Sequence, residues 1–322
     1  MYNGIAGRGI EMDISIVIPT YNEEENIKPL YDELREVLGG TGLEYEVIFV
    51  DDGSSDATIG RLHALHAGDN RVKIVKLKKN FGQSAAMAAG FDYAHGNVII
   101  TMDADLQNDP ADIPSLLQEL DKGHDVVCGW RRKRKDTISK KAFSRFANWL
   151  RKALTGETIH DSGCTLRAYR SECLKDLELY GEMHRYIPAI LSWKGYSFSE
   201  VVVSHRPRTR GVTKYGVRRI PKGFLDLLLV AFWKRYSLRP IHILGGSGLV
   251  LAVAGFILSI YLVVERLFFD MPLADRPIFL LAILMVIIGI QFLVFGVLAD
   301  ILIRVYNAQS DRKVYTVDEV IE

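Results

Sequence analysis

Beyond residue 240 the chain holds two apolar runs, Ile241 to Val264 and Ile278 to Ala299, with no Asp, Glu, Lys or Arg in either. A bilayer core asks for about 20 consecutive apolar residues per helix, and each run meets that length. One such run could be the buried helix of a soluble core; two in tandem read as a pair of transmembrane helices. The connection between them mixes Arg266 and Arg276 with Glu265, Asp270 and Asp275. The outer flanks carry Lys234, Arg235 and Arg239 on one side and Arg304, Arg312 and Lys313 on the other. The positive-inside rule then predicts an integral membrane protein of the cell (plasma) membrane with both termini cytoplasmic. Just before the first run, Phe224, Leu225, Phe232 and Trp233 alternate with Arg218, Arg219, Lys222, Lys234 and Arg235. That mixture suits a helix lying in the membrane interface.

Up to about residue 205 the pattern is different. Short β-branched runs alternate with amphipathic stretches, which predicts a mainly parallel α/β sheet covered on both faces. The spacing predicts strands at Ile14 to Pro19, Tyr45 to Val50, Lys73 to Leu77, Val98 to Met102, Asp125 to Gly129 and Phe198 to Ser204. Helices are predicted near Glu25 to Leu38, Thr58 to Ala67, Gln83 to Ala94 and Pro110 to Lys122. The expected organisation is a flexible leader (1–12), a cytoplasmic catalytic domain (13–215), a juxtamembrane amphipathic region (216–239), a two-helix transmembrane domain (240–305) and a cytoplasmic tail (306–322).

Charge is balanced, with 40 Lys and Arg against 39 Asp and Glu. No overall field points to nucleic acid. Three cysteines, Cys128, Cys164 and Cys173, form no zinc-type spacing and read as reduced thiols.

In open α/β sheets ligands sit beyond the carboxyl ends of the strands, and three predicted strands end in acidic or polar motifs. Val98 to Met102 runs into Asp103-Ala104-Asp105-Leu106-Gln107. In extended chain residues i and i+2 project to one side, so the two carboxylates converge. Two carboxylates and an amide oxygen suit Mg²⁺ or Mn²⁺ shared with substrate phosphates; the alternative is a polar turn with an Asp cap. The first strand ends in Pro19-Thr20-Tyr21-Asn22-Glu23 and the second in Val50-Asp51-Asp52-Gly53-Ser54-Ser55-Asp56. Tyr21 offers a wall for a nucleoside, Glu23 and Asp52 offer acceptors, and Asp56 caps the next helix. No phosphate-cradling Gly-rich loop follows a strand, which argues against a Walker-type ATPase and a dinucleotide oxidoreductase.

These motifs, together with Asp161-Ser162-Gly163, resemble those of family 2 glycosyltransferases, most nearly the branch that makes polyprenyl-phosphate (dolichol-phosphate-type) sugars with two C-terminal membrane helices. The similarity spans about residues 13 to 215. It implies a GT-A type, Rossmann-like domain, a nucleotide-sugar donor, a polyprenyl or dolichyl phosphate acceptor and inversion at the anomeric carbon. By resemblance Pro19, Tyr21, Glu23, Val50, Asp52, Asp103 and Ala104 would hold the donor. Asp103, Asp105 and Gln107 would bind the metal. Arg131 would stand near the phosphates, and Arg208, Arg210 and Lys214 would meet the acceptor phosphate. Ala57 departs from the glycine many relatives carry, and Cys164 after Asp-Ser-Gly is a second departure. Uridine diphosphate glucose is the first donor expected and guanosine diphosphate mannose the second.

Catalysis is assigned to Asp161, Arg131 and Asp105. A base role for Asp161 is optional, because a phosphate monoester has its second pKa near 6 and is already mostly dianionic at neutral pH. Orienting a basic side chain or a sugar hydroxyl is the equal alternative. Asn80 to Gln83 form a loop that would line the donor pocket, and His184 reads as a surface histidine, with contact to sugar or acceptor as the alternative. Gly245, Gly248 and Ala252 offer a small-residue face on which protomers could pack. The alternatives are another membrane acceptor, or a catalytically silent membrane assembly protein. No Gln-x-x-Arg-Trp segment of processive synthases occurs.

Overall fold

A computed structural model describes residues 12–132, 159–175, 177–179, 181–207, 240–269, 277–307 and 313–322. The chain divides into two compact units, Met1–Val230 with Lys313–Glu322, and Ala231–Arg312.

The first unit is built on one eight-stranded sheet, ordered β7-β5-β6-β4-β1-β2-β3-β8. β1 (Ile14–Thr20), β2 (Tyr45–Asp51), β3 (Val72–Leu77) and β4 (Val98–Thr101) are mutually parallel and form its centre. Their continuous apolar runs follow from cover on both faces: Ile16, Ile18 and Phe49 pack with α1 (Ile27–Gly39), and Val17, Ile48 and Val50 with α3 (Gln83–Asp92). α1 buries Ile27, Leu30, Tyr31, Leu34 and Leu38 at helical spacing, each apolar side chain contributing about 1.5–3 kcal/mol. α2 (Thr58–His66) and α4 (Ile113–Leu120) complete the same pattern.

β5 (Val126–Trp130) and β7 (Phe198–Val202) are parallel to each other. β6 (Arg167–Arg170) runs antiparallel between β5 and β4. Two short helices, α5 (Ser171–Leu174) and α6 (Ile187–Trp193), follow it. The predicted strands and helices are present within about two residues; β6 is additional. The chain's last residues also contribute: β8 (Val317–Ile321) adds antiparallel to β3, held by Lys76–Asp318 at 2.6 Å and by the Tyr315 hydroxyl on Asp92 at 2.5 Å. The sequence reading carries no strand there.

In the second unit α7 (Pro240–Phe269, 30 residues) packs along α8 (Pro277–Asn307, 31 residues). Both helices are long and apolar enough to cross a membrane. Their outward surfaces stay apolar: Val250, Leu267, Phe268, Phe269 and Leu280 are each more than 70% exposed. A soluble core helix would bury such residues, so lipid is the solvent this surface fits. The small residues face within the chain. A Cβ on Gly248 would come within 2.6 Å of the Gly289 carbonyl, and one on Gly289 within 2.5 Å of the Ala252 amide. Gly245, Gly248 and Ala252 therefore serve close packing inside this helix pair, which corrects the expectation of a face between protomers.

Candidate active site

Parallel strands β1, β2 and β4 end at one edge, with Thr20 beside Asp51 and Val17 beside Thr101 in register. The three motifs therefore exit side by side. The loops after β1 and β2 are sewn together: the Ser54 hydroxyl accepts from the Asn22 amide (2.9 Å), the Asn22 side chain from the Ser55 amide (2.8 Å), and the Thr58 hydroxyl from the Glu23 amide (2.9 Å). Asp56 accepts from the Thr58 amide at 3.0 Å, a turn bond just ahead of α2; the N-cap itself is Ala57, with no side-chain capping bond, which corrects the cap expected of Asp56. Pro19, Tyr21 and Glu23 are half-buried on this rim, with Glu23 also accepting from the Asn26 amide group at 2.6 Å.

Asp52 does more than face a ligand. Its two carboxylate oxygens accept from the Phe81 and Gly82 amides, at 2.7 and 2.9 Å, and so fasten the 79–82 loop onto β2. Burial raises its carboxyl above the usual range, against the pull of those two bonds. Gly53 has φ +70°, and a Cβ there would lie 2.6 Å from the Lys79 carbonyl carbon, so only glycine lets the two loops meet. Val50 is fully buried against α3, and Ala104 is buried in the core on the opposite face. Their side chains belong to the packing beneath the crevice, which leaves their main-chain groups to meet a donor.

Asp103 and Asp105 leave β4 together. Asp103 accepts from the Gln83 side chain at 2.8 Å, and Asp105 from the Gln107 amide at 3.2 Å. Leu106 between them and Gln107 is left-handed, at φ +60°. Burial, and then the Asp105 charge, push the Asp103 carboxyl up to about 6. Two carboxylates that repel in a partly dry site fit a hard divalent cation. Among the described residues no group of three or more His, Cys, Asp or Glu is placed to hold a metal. Asp103 and Asp105 offer fewer oxygen donors than a divalent cation's usual set. The Gln107 side chain is half-buried, and its carbonyl accepts from the Arg206 amide at 2.9 Å.

Next to this pair Arg131, at the end of β5, grips Asp161. Its Nε donates to Oδ2 at 2.7 Å and its Nη2 to Oδ1 at 3.0 Å, and both side chains are about 90% buried. Burial opposes the Arg131 charge, and the Asp161 carboxylate more than offsets it; the Asp103 charge acts in the same direction. Both Asp161 oxygens accept from Arg131, the contact that the orienting alternative requires. Thr165 ties the same region together, accepting from the Thr101 hydroxyl (2.7 Å) and from the Asn108 side chain (2.9 Å).

His184 is buried, not on the surface as expected. Its Nδ1 lies 2.9 Å from the Ser84 hydroxyl, which also accepts from its main-chain amide at 3.1 Å. Nothing in the local sequence signals this, because Ser84 is 100 residues away. The same holds for Thr165 and for Arg206, which pairs with Glu33 at 2.7 Å and Asp109 at 2.8 Å. Arg208, Arg210 and Lys214 lie outside the described residues, as do the basic run beyond Arg132 and the juxtamembrane segment. Cys128, Cys164 and Cys173 are free and buried.

The profile of "Glycosyl transferase family 2" matches residues 15–178. The dodecaprenyl-phosphate galacturonate synthase of Rhizobium johnstonii is 37% identical, over 97% of this chain and 94% of its own. The undecaprenyl-phosphate 4-deoxy-4-formamido-L-arabinose transferase of Proteus mirabilis is also 37% identical, over 96% and 94%. Among solved structures, glucosyl-3-phosphoglycerate synthase of Mycobacterium tuberculosis with UDP superposes at TM-score 0.52 and 20% identity, covering 69% of this chain and 79% of that one. A second structure of that enzyme, with Mn²⁺, UDP and glucosyl-3-phosphoglycerate, gives 0.52 and 20% over the same shares. The structural likeness shows a shared GT-A type fold. On the profile match and on similarity along nearly its whole length, the chain belongs to glycosyl transferase family 2 and is a glycosyltransferase.

Proposed function

We propose that this protein transfers a sugar, with inversion, from a nucleoside diphosphate sugar to a polyprenyl phosphate at the cytoplasmic face of the cell membrane. One observation carries the reading: the Asp103–Asp105 carboxylates and the Arg131–Asp161 ion pair stand together where β1, β2 and β4 end. A donor diphosphate needs its charge offset as it leaves, and an anionic acceptor needs a cation beside it. Asp103 and Asp105, with Gln107, would hold Mg²⁺ or Mn²⁺, which supplies charge neutralisation to the leaving diphosphate. Tyr21, Glu23 and the crevice rim receive the nucleoside.

Arg131, oriented by Asp161, faces the phosphates. Arg206 is bonded to the Gln107 carbonyl, so Arg208 follows only two residues along the chain from the acidic loop; it, Arg210 and Lys214 are the proposed acceptor-phosphate contacts. The attacking phosphate oxygen carries its own charge at neutral pH, and positioning is then the main task. A polyprenyl chain stays in lipid at about 0.8 kcal/mol per CH₂, which gives α7 and α8 their role: they bring the domain to the acceptor.

The names of the relatives widen the donor choice. Uridine diphosphate glucose and guanosine diphosphate mannose are tested beside galacturonate and 4-deoxy-4-formamido-L-arabinose donors. Full-length protein in lipid nanodiscs containing undecaprenyl phosphate is expected to move labelled sugar from one of these donors into the organic phase. EDTA abolishes transfer, and Mn²⁺ or Mg²⁺ restores it. Asp105→Ala lowers the rate by roughly 10²–10³-fold, the scale of losing a charge-stabilising group, while its melting temperature stays near that of the native protein. Full activity in Asp105→Ala, or sugar transfer that ignores the polyprenyl phosphate, would contradict the reading.

A further inference from the structure

Arg167, the first residue of β6, is 3% exposed and makes no ion pair among the described residues. Burying a cation without a carboxylate beside it is costly relative to an apolar side chain of like volume. Its guanidinium reaches two main-chain carbonyls, Nη2 donating to Ser162 and Nη1 to His184 at 3.5 Å; the buried Tyr169 side chain also acts on it, while Nε is unpartnered. Ser162 directly follows Asp161, whose carboxylate holds Arg131. His184 is bonded to Ser84 in the first turn of α3, next to the Gln83 that bonds Asp103. In register Arg167 lies between Thr101 of β4 and Cys128 of β5, the strands that lead to Asp103 and Arg131.

From this placement we propose that Arg167 is a positioning residue for sugar transfer. One guanidinium joins the turn that carries Asp161 to the turn that packs on α3, and so fixes the Arg131–Asp161 pair relative to the acidic loop. A guanidinium suits the task because its planar fork reaches two carbonyls at once. The inference rests on the proposed transfer reaction, and its test is built to separate the two.

Arg167→Met and Arg167→Lys are measured alone and combined with Arg131→Ala, with Tm, nucleoside diphosphate binding in Mn²⁺, kcat and KM as readouts. Acting through Arg131, Arg167→Met lowers kcat about 100-fold in the native background but less than about threefold in the Arg131→Ala background, the non-additivity of coupled residues. Nucleoside diphosphate binding stays within about threefold of native, and Arg167→Lys falls between native and Arg167→Met in kcat. Equal fold losses in both backgrounds overturn the proposal, as does a lowered Tm with native kcat. Should Arg167→Met fail to fold, the Lys pair alone decides by the same comparison. Wild-type protein that moves no sugar removes the transfer reading and this inference together; wild-type turnover with additive losses removes only the role of Arg167.

Discussion

Asn22 sits at φ +52°, a left-handed conformation that asparagine tolerates better than most residues. Its side chain also receives the Ser55 amide, so one residue both turns the chain after β1 and joins it to the loop after β2. Asn22→Ala loses both properties and is expected to cost about 1–3 kcal/mol in a denaturant melt. Asn22→Gly keeps the backbone freedom and costs less. Equal costs would show that the side-chain bond, not the turn, governs this rim, and the reverse order would contradict both. At this scale the sequence was legible where chemistry is written in adjacent residues. Asp103 and Asp105 could be picked out by type and spacing, whereas Arg131 and Asp161 came from the family resemblance. The Val50 and Ala104 side chains could not be placed in the core from residue type, because pleat and packing decide which face they take. His184 and Arg167 depend on partners distant in sequence, and no local pattern predicts those.

At the scale of elements, the sheet's central strands were readable because burial on both faces demands continuous apolar runs. β6, Arg-Ala-Tyr-Arg, has no such run: its charged ends are held by carbonyl groups, Arg167 as above and Arg170 by His124 and Leu120 at 3.3 Å. β8, Val-Asp-Glu-Val-Ile, lies at an exposed edge without alternation and is too short to stand out from a polar tail. Elements are also pinned by single polar clusters. Asp69, after α2, accepts from Tyr31 of α1 and from the Arg71 guanidinium before β3, with Nε–Oδ1 at 2.9 Å. The Arg71 hydrogen bonds, then the Tyr31 hydroxyl, hold the Asp69 carboxyl well below the usual range against a burial penalty. A depressed folded-state pKa adds stability above the unfolded value, near 4, and that contribution is lost as pH falls. Asp69→Asn is therefore expected to be about 1–2 kcal/mol less stable than native at pH 7. The gap should shrink as urea melts are repeated from pH 4 downward. A gap that widens in acid would contradict the assignment.

For the whole molecule the two apolar helices interrupt a single sheet domain: residues before them supply seven strands and residues after them supply the eighth. The sequence disclosed the helices by composition alone, yet gave no sign that the chain after them completes the sheet. This changes how the membrane's role is tested. Truncation after residue 240 removes β8, uncovers the edge of β3 and deletes the Tyr315–Asp92 bond, so it is expected to lower the melting temperature of the domain itself. A variant that joins residue 239 to Lys313 through a flexible linker keeps β8. It should bind a nucleoside diphosphate as the full chain does, yet turn over long-chain polyprenyl phosphate at least about tenfold more slowly, because the acceptor's chain remains in lipid. Equal loss of binding and turnover would contradict that division of labour.

The central claim is that the acidic loop after β4 and a divalent cation together hold the donor's diphosphate. Calorimetric titration of the full-length protein with uridine and guanosine diphosphates, with and without Mn²⁺, tests it most directly. One nucleotide should bind in Mn²⁺ and weaken by about 100-fold or more on EDTA or in Asp105→Ala, a loss of roughly 2.7 kcal/mol. Binding that is equally tight without the cation and in Asp105→Ala would contradict it.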